Sequence, residues 1–538
     1  MKPSLLSFAL FGAMASFSVD ATTNPPSSPA PVLSWGRCTL GTGTSLDPDL
    51  FARIDCGWIQ VPHDRGAVSS PQVRLPVLRV RAAKPERYEG TVFYHPGGPG
   101  VDPMSYLLSM AKHWNAVDIT DPNFGDLRRL AERYDIIAVT PRGLTDDTRP
   151  ECVAFTGENA SQALLAPDDD EAWRTLVADT RAFAHSCGPK AALIHTEAQV
   201  EDIEAVRAAM GLSTAHFYAT SYGTWVATWY AATHPAHTGR LLLDASVDFQ
   251  RRWLFQQAGL HIYRERALIA DALKPASERP EVYGLGTSSP AIRQRLIGMP
   301  LFMRRLWAPA ISFPEHVVAA LAIADEWQAM PQDQRSFDAL RNRLMRHAFH
   351  KQDDIDREMR KDAFALAGAL FQDNESPRPV PYGGTAAMFA VYCNDSIWRA
   401  SPDEIRRGVR FMDTQVALPR GNDAVMSLIC AAWPHVAHPR PSFDVLKRLP
   451  SIMLMHASSD WATPMGAAEA IAEQLPNSHL LITRGLQGHN SLGQPMAACA
   501  TRHAAHYLLT GETPTTSRTE CVLGEPGDAS THPAHQEL

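Results

Sequence analysis

The chain has 538 residues, a length that at about 150 residues per domain allows three or four domains, or one large α/β core with insertions. Hydrophobic residues make up 45%, charged residues 20% and aromatics 8%, a globular balance that excludes collagen, coiled coil and low-complexity disorder as descriptions of the whole. Lys and Arg number 50 against 58 Asp and Glu, a formal charge of −8, so no global basic field exists to hold a nucleic-acid backbone.

The chain opens Met1-Lys2, followed by an apolar run from Leu5 to Val19 with small residues at Ala13, Ala15 and Ala21. A basic start, a short apolar stretch and small residues fit a secretory signal peptide over 1–21, with an uncleaved anchor as the alternative. The run falls short of the roughly 20 apolar residues needed to span a bilayer, and no later stretch qualifies. Residues 22–33, rich in Pro, Ser and Thr, read as a flexible leader. Behind an export signal, the cysteines at 38, 56, 152, 187, 393, 430, 499 and 521 suggest disulfides. Eight cysteines allow 105 connectivities. We expect four sequential pairs, Cys38–Cys56, Cys152–Cys187, Cys393–Cys430 and Cys499–Cys521, because short loops close at least cost. No CxxC occurs, so a structural zinc site has no support.

From Val73 to Arg81 apolar and charged residues alternate, the period of a half-buried strand. Continuous apolar runs at Thr91–Tyr94, Tyr134–Val139, His216–Ala219, Leu241–Leu243, Ile452–Met455 and Leu480–Thr483 predict buried parallel strands. Helical patterns lie between several of them. Thr196 and Gln199 have the spacing of a capping box before a Val200, Ile203, Val206, Met210 stripe that Gly211 closes. Another helix is predicted from Pro464 to Leu475. Alternating strands and helices mean a doubly wound α/β sheet. The alternation breaks over 249–441, where stretches such as His316–Met330, Arg335–Phe349 and Asp354–Phe371 are helical. A helical block between two strands of one sheet is a cap over the carboxyl edge, where open α/β folds bind ligands. The expected organisation is thus a core over 34–248, a cap over 249–441, a second core segment over 442–521 and a mobile tail over 522–538.

Three local signals carry chemistry. Ser221, in Ala219-Thr220-Ser221-Tyr222-Gly223, stands between a strand and an apolar helix, as in a nucleophile elbow, with Ala219 where a glycine is usual. His95-Pro96-Gly97-Gly98-Pro99-Gly100 follows an early strand, where glycines let backbone N–H groups face a developing oxyanion. The same loop fails as a dinucleotide site for want of a third glycine, and it has no Walker lysine. Asp460 and His489 each follow a late strand. The order Ser, Asp, His is that of the α/β-hydrolase triad, in which the carboxylate orients the imidazole and the imidazole takes the serine proton. Thr463, three residues after Asp460, either steadies that carboxylate or caps the helix at Pro464.

On these residues the sequence resembles the secreted tripeptidyl aminopeptidase branch of the proline iminopeptidase-like α/β-hydrolases. The resemblance runs through Cys56-Gly57-Trp58-Ile59-Gln60-Val61-Pro62, the Pro96-Gly97-Gly98-Pro99-Gly100 loop, Thr220-Ser221-Tyr222-Gly223-Thr224 and Leu243-Asp244. It continues through Cys393-Asn394-Asp395, Asp460-x-x-Thr463-Pro464, Gly488-His489 and the closing Cys499 to Cys521 segment. It implies Ser221 as nucleophile, Asp460 as acid, His489 as base and the N–H groups of Gly98 and Tyr222 as oxyanion hole. It also implies a secreted or periplasmic enzyme acting on peptides with a free N-terminus, without cofactor or metal. The family's usual Asp before Pro-Arg-Gly is here Thr140, before Pro141-Arg142-Gly143.

An aminopeptidase needs a carboxylate for the substrate's α-ammonium. Asp395 is the candidate, while Asp353, Asp354 and Glu358 read as solvated helix faces, and Asp244, before the cap, reads as structural. An esterase or lipase with the same triad is the nearest rival, and a non-catalytic binding module is a more distant one. A dehalogenase or epoxide hydrolase would need a carboxylate at the Ser221 position, and a zinc protease its HExxH. The pairs His234/His237 and His503/His506 read as ordinary surface histidines. Oligomeric state is not legible.

Overall fold

The computed structural model describes residues 31–36, 38, 46–67, 69–153, 169–249, 253–371, 383–397, 399–420 and 422–522. The expected signal segment, most of the leader and nearly all of the tail lie outside these residues. Ten strands form one sheet: β1 (Val32–Gly36), β2 (Ile54–Pro62), β3 (Gln72–Val80), β4 (Gly90–His95), β5 (Tyr134–Val139), β6 (Ala215–Thr220), β7 (Thr238–Asp244), β8 (Ile452–Ser459), β9 (Ser478–Gln487) and β10 (Arg518–Val522). Their order is β1-β2-β3-β5-β4-β6-β7-β8-β9-β10. The β1-β2-β3-β5 pairings are antiparallel and all the others parallel. β1 takes in Val32 and Leu33, so the leader ends two residues earlier than expected: backbone pairing with Gln60 and Ile59 holds those residues in the sheet.

The sheet is legible where both faces are covered. Every residue of β5 and β8 is buried, and a strand buried on both sides needs an unbroken apolar run. Successive residues feed opposite cores. Phe93, Ile137 and Phe217 pack on one side with the helices Thr196–Ala209 and Tyr222–Thr233, while Val92, Ile136 and Tyr218 pack on the other with Pro103–Ala116 and Ala498–Thr510.

Between β7 and β8 the described residues are helical, from Trp253–Leu268 to Asn422–Ala431. Much of this insertion folds around its own core of Trp307, Leu321, Ile323, Leu344, Met359 and Leu366. Its later part joins the sheet: Ala387, Phe389 and Cys393 of helix Gly383–Asn394 belong to the first core. Disulfides join Cys38 to Cys56, Cys152 to Cys187, Cys393 to Cys430 and Cys499 to Cys521. Among the described residues no helix is long and apolar enough to cross a membrane.

The expected capping box does not form. Helix Thr196–Ala209 is capped by the His195 imidazole, which accepts the Ala198 N–H. Thr196 and Gln199 are buried instead: the Thr196 hydroxyl bonds Asp395 and Tyr222, and Gln199 meets His95. Buried polar side chains must find partners, and here tertiary partners outcompete the local cap.

Candidate active site

Ser221 sits in the sharp turn between β6 and helix Tyr222–Thr233, at φ 55° and ψ −129°. A non-glycine residue holds such a backbone only where its surroundings fix it. They do: the Ser221 N–H donates to the Asp244 carbonyl (3.1 Å), and its carbonyl accepts from the Thr224 N–H and hydroxyl. A Cβ on Gly223 would lie 2.4 Å from the His95 carbonyl oxygen, so glycine is required two residues on. At Ala219 the single methyl is accommodated in a fully buried position.

The glycine loop after β4 packs directly on this turn. Gly97, at φ 100°, leaves no room for a Cβ, which would lie 2.7 Å from the Ser221 Cβ and the Thr220 carbonyl. His95 braces the loop by accepting the Gly97 N–H at Nδ1 (3.0 Å), and burial lowers its pKa to about 4, keeping the ring neutral. Gly98, Ser221 and Tyr222 line a common cavity, together with Asp248, Tyr392 and Thr463.

Asp460 follows β8 and His489 follows β9. Nδ1 of His489 lies 2.9 and 3.1 Å from the two Asp460 oxygens. A carboxylate only accepts, so Nδ1 carries the hydrogen and Nε2 is the ring's basic nitrogen. The carboxylate also accepts the N–H groups of Ala462 and Thr463 and the Thr463 hydroxyl. Thr463 thus lies against both members of the pair, its Oγ1 3.4 Å from the His489 Nδ1. Burial opposes charge on both groups. For Asp460 the hydrogen bond and charge of His489 overcome it and hold the carboxyl below its usual range. For His489 the hydrogen bond and charge of Asp460, with the charge of Asp244, raise the imidazole pKa.

Asp395 is linked to Tyr222 through Thr196. Its carboxylate accepts the Thr196 N–H and hydroxyl, and burial pushes its pKa up to about 7; it braces the start of helix Thr196–Ala209. Thr140 donates to Asp102, and Arg142 pairs with the buried Asp202, so the Pro141-Arg142-Gly143 segment is tied to the scaffold. His234, His237 and His506 are held by Glu201, Glu204, and Asp126 with Glu512.

Of two acids here, the sequence reading took Asp244 as structural and passed over Asp248. Asp244, fully buried at the end of β7, does more than fill the core: its Oδ2 accepts the N–H groups of Ser491 (2.7 Å) and Leu492 (2.9 Å), the loop that carries His489. One residue therefore ties the serine turn through its carbonyl and the histidine loop through its carboxylate. Asp248 lines the Ser221 cavity. An acid just after an apolar strand was the available signal for both.

A parallel sheet with a serine elbow, a glycine loop and an Asp–His pair at its carboxyl edge defines an α/β hydrolase. The family model described as alpha/beta hydrolase fold matches residues 90–277, and that described as TAP-like protein matches residues 418–521. The chain is 23% identical over 496 residues to a tripeptidyl aminopeptidase of Streptomyces coelicolor, covering 89% of this chain and 84% of that one. It is 26% identical over 201 residues to the serine protease Hip1 of Mycobacterium tuberculosis, covering 36% of each. Within the α/β hydrolases, the chain is similar over most of its length to tripeptidyl aminopeptidases.

Proposed function

We propose that this protein is an exported serine exopeptidase that releases short N-terminal segments, or single residues, from peptides. The carrying observation is the Asp460–His489 pair at the same sheet edge as the strained Ser221 turn. Ser221 attacks the scissile carbonyl while Nε2 of His489 takes its proton, and the N–H groups of Gly98 and Tyr222 hold the oxyanion. The leaving amine takes the proton from His489, and water then releases the acyl group from Ser221. Asp460 favours the imidazolium that forms in between.

We assign recognition of the α-ammonium to Asp248, which lines the Ser221 cavity. Four disulfides need an oxidising compartment, which supports export. An ester-cleaving enzyme would use the same triad, but the similarity to tripeptidyl aminopeptidases spans most of the chain.

The test compares free and N-acetylated peptide substrates, with products read by mass spectrometry, alongside short acyl esters. Cleavage near free amino termini, lost on acetylation, is the expected result. Equal turnover of acetylated peptides, or turnover of esters alone, would overturn the exopeptidase reading.

A further inference from the structure

We propose that Arg264 and Arg420, both set against Trp461, form a carboxylate-binding subsite that selects substrates carrying an acidic group. The subsite rests on the peptidase reading and adds a preference to it.

Trp461 is the residue after the catalytic-acid candidate Asp460, and its ring centroid lies 6.1 Å from that of His489. Arg264, on helix Trp253–Leu268, donates from Nε to the Trp461 carbonyl (3.2 Å). Arg420 places its guanidinium 5.8 Å from the Trp461 ring centroid. Two cations thus converge on one residue beside the triad.

The two guanidiniums share Asp423 as a carboxylate neighbour. The carboxylate closest in reach of Arg264 is Asp423, whose Oδ2 is 4.0 Å from Nη1, beyond hydrogen-bond distance. That same oxygen lies 3.0 Å from His261 Nε2, and Asp423 is also the carboxylate acting on Arg420. Nη1 of Arg264 is buried with no hydrogen-bond partner among the described residues. Burial, with the charge of Arg420, lowers the Arg264 pKa to about 10, so the group stays charged at neutral pH. An unfilled guanidinium donor in a buried setting is costly in the free protein, and a carboxylate is the partner whose geometry fits it.

There is space for such a partner. A small cleft open to solvent lies between cap and core here, walled by Arg264, Asp271, Ile311, Asp460 and Trp461 among others. The acids of this wall are engaged. Glu265 pairs with Arg293 and accepts the Ala417 N–H. Asp271 accepts the Ser459 hydroxyl, and burial pushes its carboxyl toward the neutral form. Asp460 is bonded to His489. An entering carboxylate therefore meets the Arg264 side chain in this wall, with Arg420 set against the Trp461 ring. It comes from a Glu or Asp side chain, or from the free C-terminus of a short peptide.

The experiment uses the mature enzyme and N-terminally free peptides in matched pairs: Gln or Glu at each position in turn, and C-terminal amide or acid. kcat/KM is measured for each pair. We expect at least one pair in which the acidic member is preferred about tenfold, and Arg264→Gln or Arg420→Gln to bring that preference to within about twofold. Ratios near one for every pair in the wild type would overturn the subsite while leaving the peptidase reading intact. Equal losses on acidic and neutral members in both variants would also overturn it, making the arginines counter-ions of Asp460. Were no peptide cleaved, the peptidase reading would fall. The same ratio would then be read from how well each uncleaved peptide protects Ser221 from fluorophosphonate labelling, equal protection within every pair counting against the subsite.

Discussion

The sheet and the helical insertion bury comparable side chains but treat polar groups differently. Along the sheet edge, the buried groups that hold the triad are tied to other elements of the site. Asp244 holds the loop after His489, Asp460 holds His489, and His95 holds Gly97. In the insertion, the apolar core closes around Trp307 and Leu321, while Arg264 reaches the interface with a donor unfilled. Groups that must keep reacting atoms in one geometry are tied down, whereas a surface that receives a variable substrate can leave a donor for the ligand. We propose that chemistry belongs to the sheet and selection to the insertion.

The sharpest break of this division is Ser221→Ala. If reaction resides wholly at the sheet edge, turnover falls by about 10⁴-fold or more, fluorophosphonate labelling disappears, and the unfolding midpoint stays near that of the wild type. Retention of near-native turnover by the purified variant would remove Ser221 as nucleophile. The variant leaves the insertion untouched, so its affinity for uncleaved peptide is expected to persist.

A substitution on the other side tests the converse. Trp307 is 1% exposed, and its indole N–H donates to the Leu366 carbonyl. Trp307→Ala opens a cavity in the insertion's own core, at a cost of about 3–5 kcal/mol. We expect proteolysis to begin within the insertion and peptide turnover to fall through KM, with labelling of Ser221 by a small fluorophosphonate continuing. Simultaneous loss of labelling and of the sheet's unfolding transition would show that the two regions fold as one.

The same contrast explains what could be read before the fold was known. β4 to β9 are legible because burial on both faces demands continuous apolar runs, and Ser221, Asp460 and His489 because each follows such a run. β1 and β10 carry polar and exposed residues at the sheet's margins, so the apolar signal fades where one neighbour is solvent. Helix Gly383–Asn394 is apolar around much of its circumference, since it is pressed between cap and sheet, and its membership of the main core has no local signature. Asp395 looked like a ligand because an acid beside a buried cysteine is unusual. Its partner, Thr196, lies 199 residues away in sequence, a distance that no pattern bridges. Asp244 read as structural, but its partners Ser491 and Leu492, lying 247 and 248 residues on, were beyond any pattern for the same reason.

Asp244 also supplies the finest test of the sheet-edge account. The His489 imidazole pKa is raised by its bond to Asp460 and by the charges of Asp460 and Asp244, against burial. His489 acts as base only when neutral, so activity is lost as pH falls through this raised value, and the acid limb of kcat/KM lies above the ordinary histidine value of about 6.5. In Asp244→Asn the amide oxygen still accepts the Ser491 and Leu492 N–H groups while the charge is gone. Removing an anion disfavours the imidazolium, so the limb moves to lower pH, by less than about one unit because the Asp460 contact remains. The variant would then keep a larger share of its plateau activity near pH 6 than the wild type does. In Asp244→Ala the two buried N–H groups lose their acceptor, at about 1–3 kcal/mol for each group left unpaired, and kcat should fall with the loosened His489 loop. A limb that stays in place in Asp244→Asn, alongside a loss of kcat in Asp244→Ala, would mean that Asp244 serves the site by tethering alone.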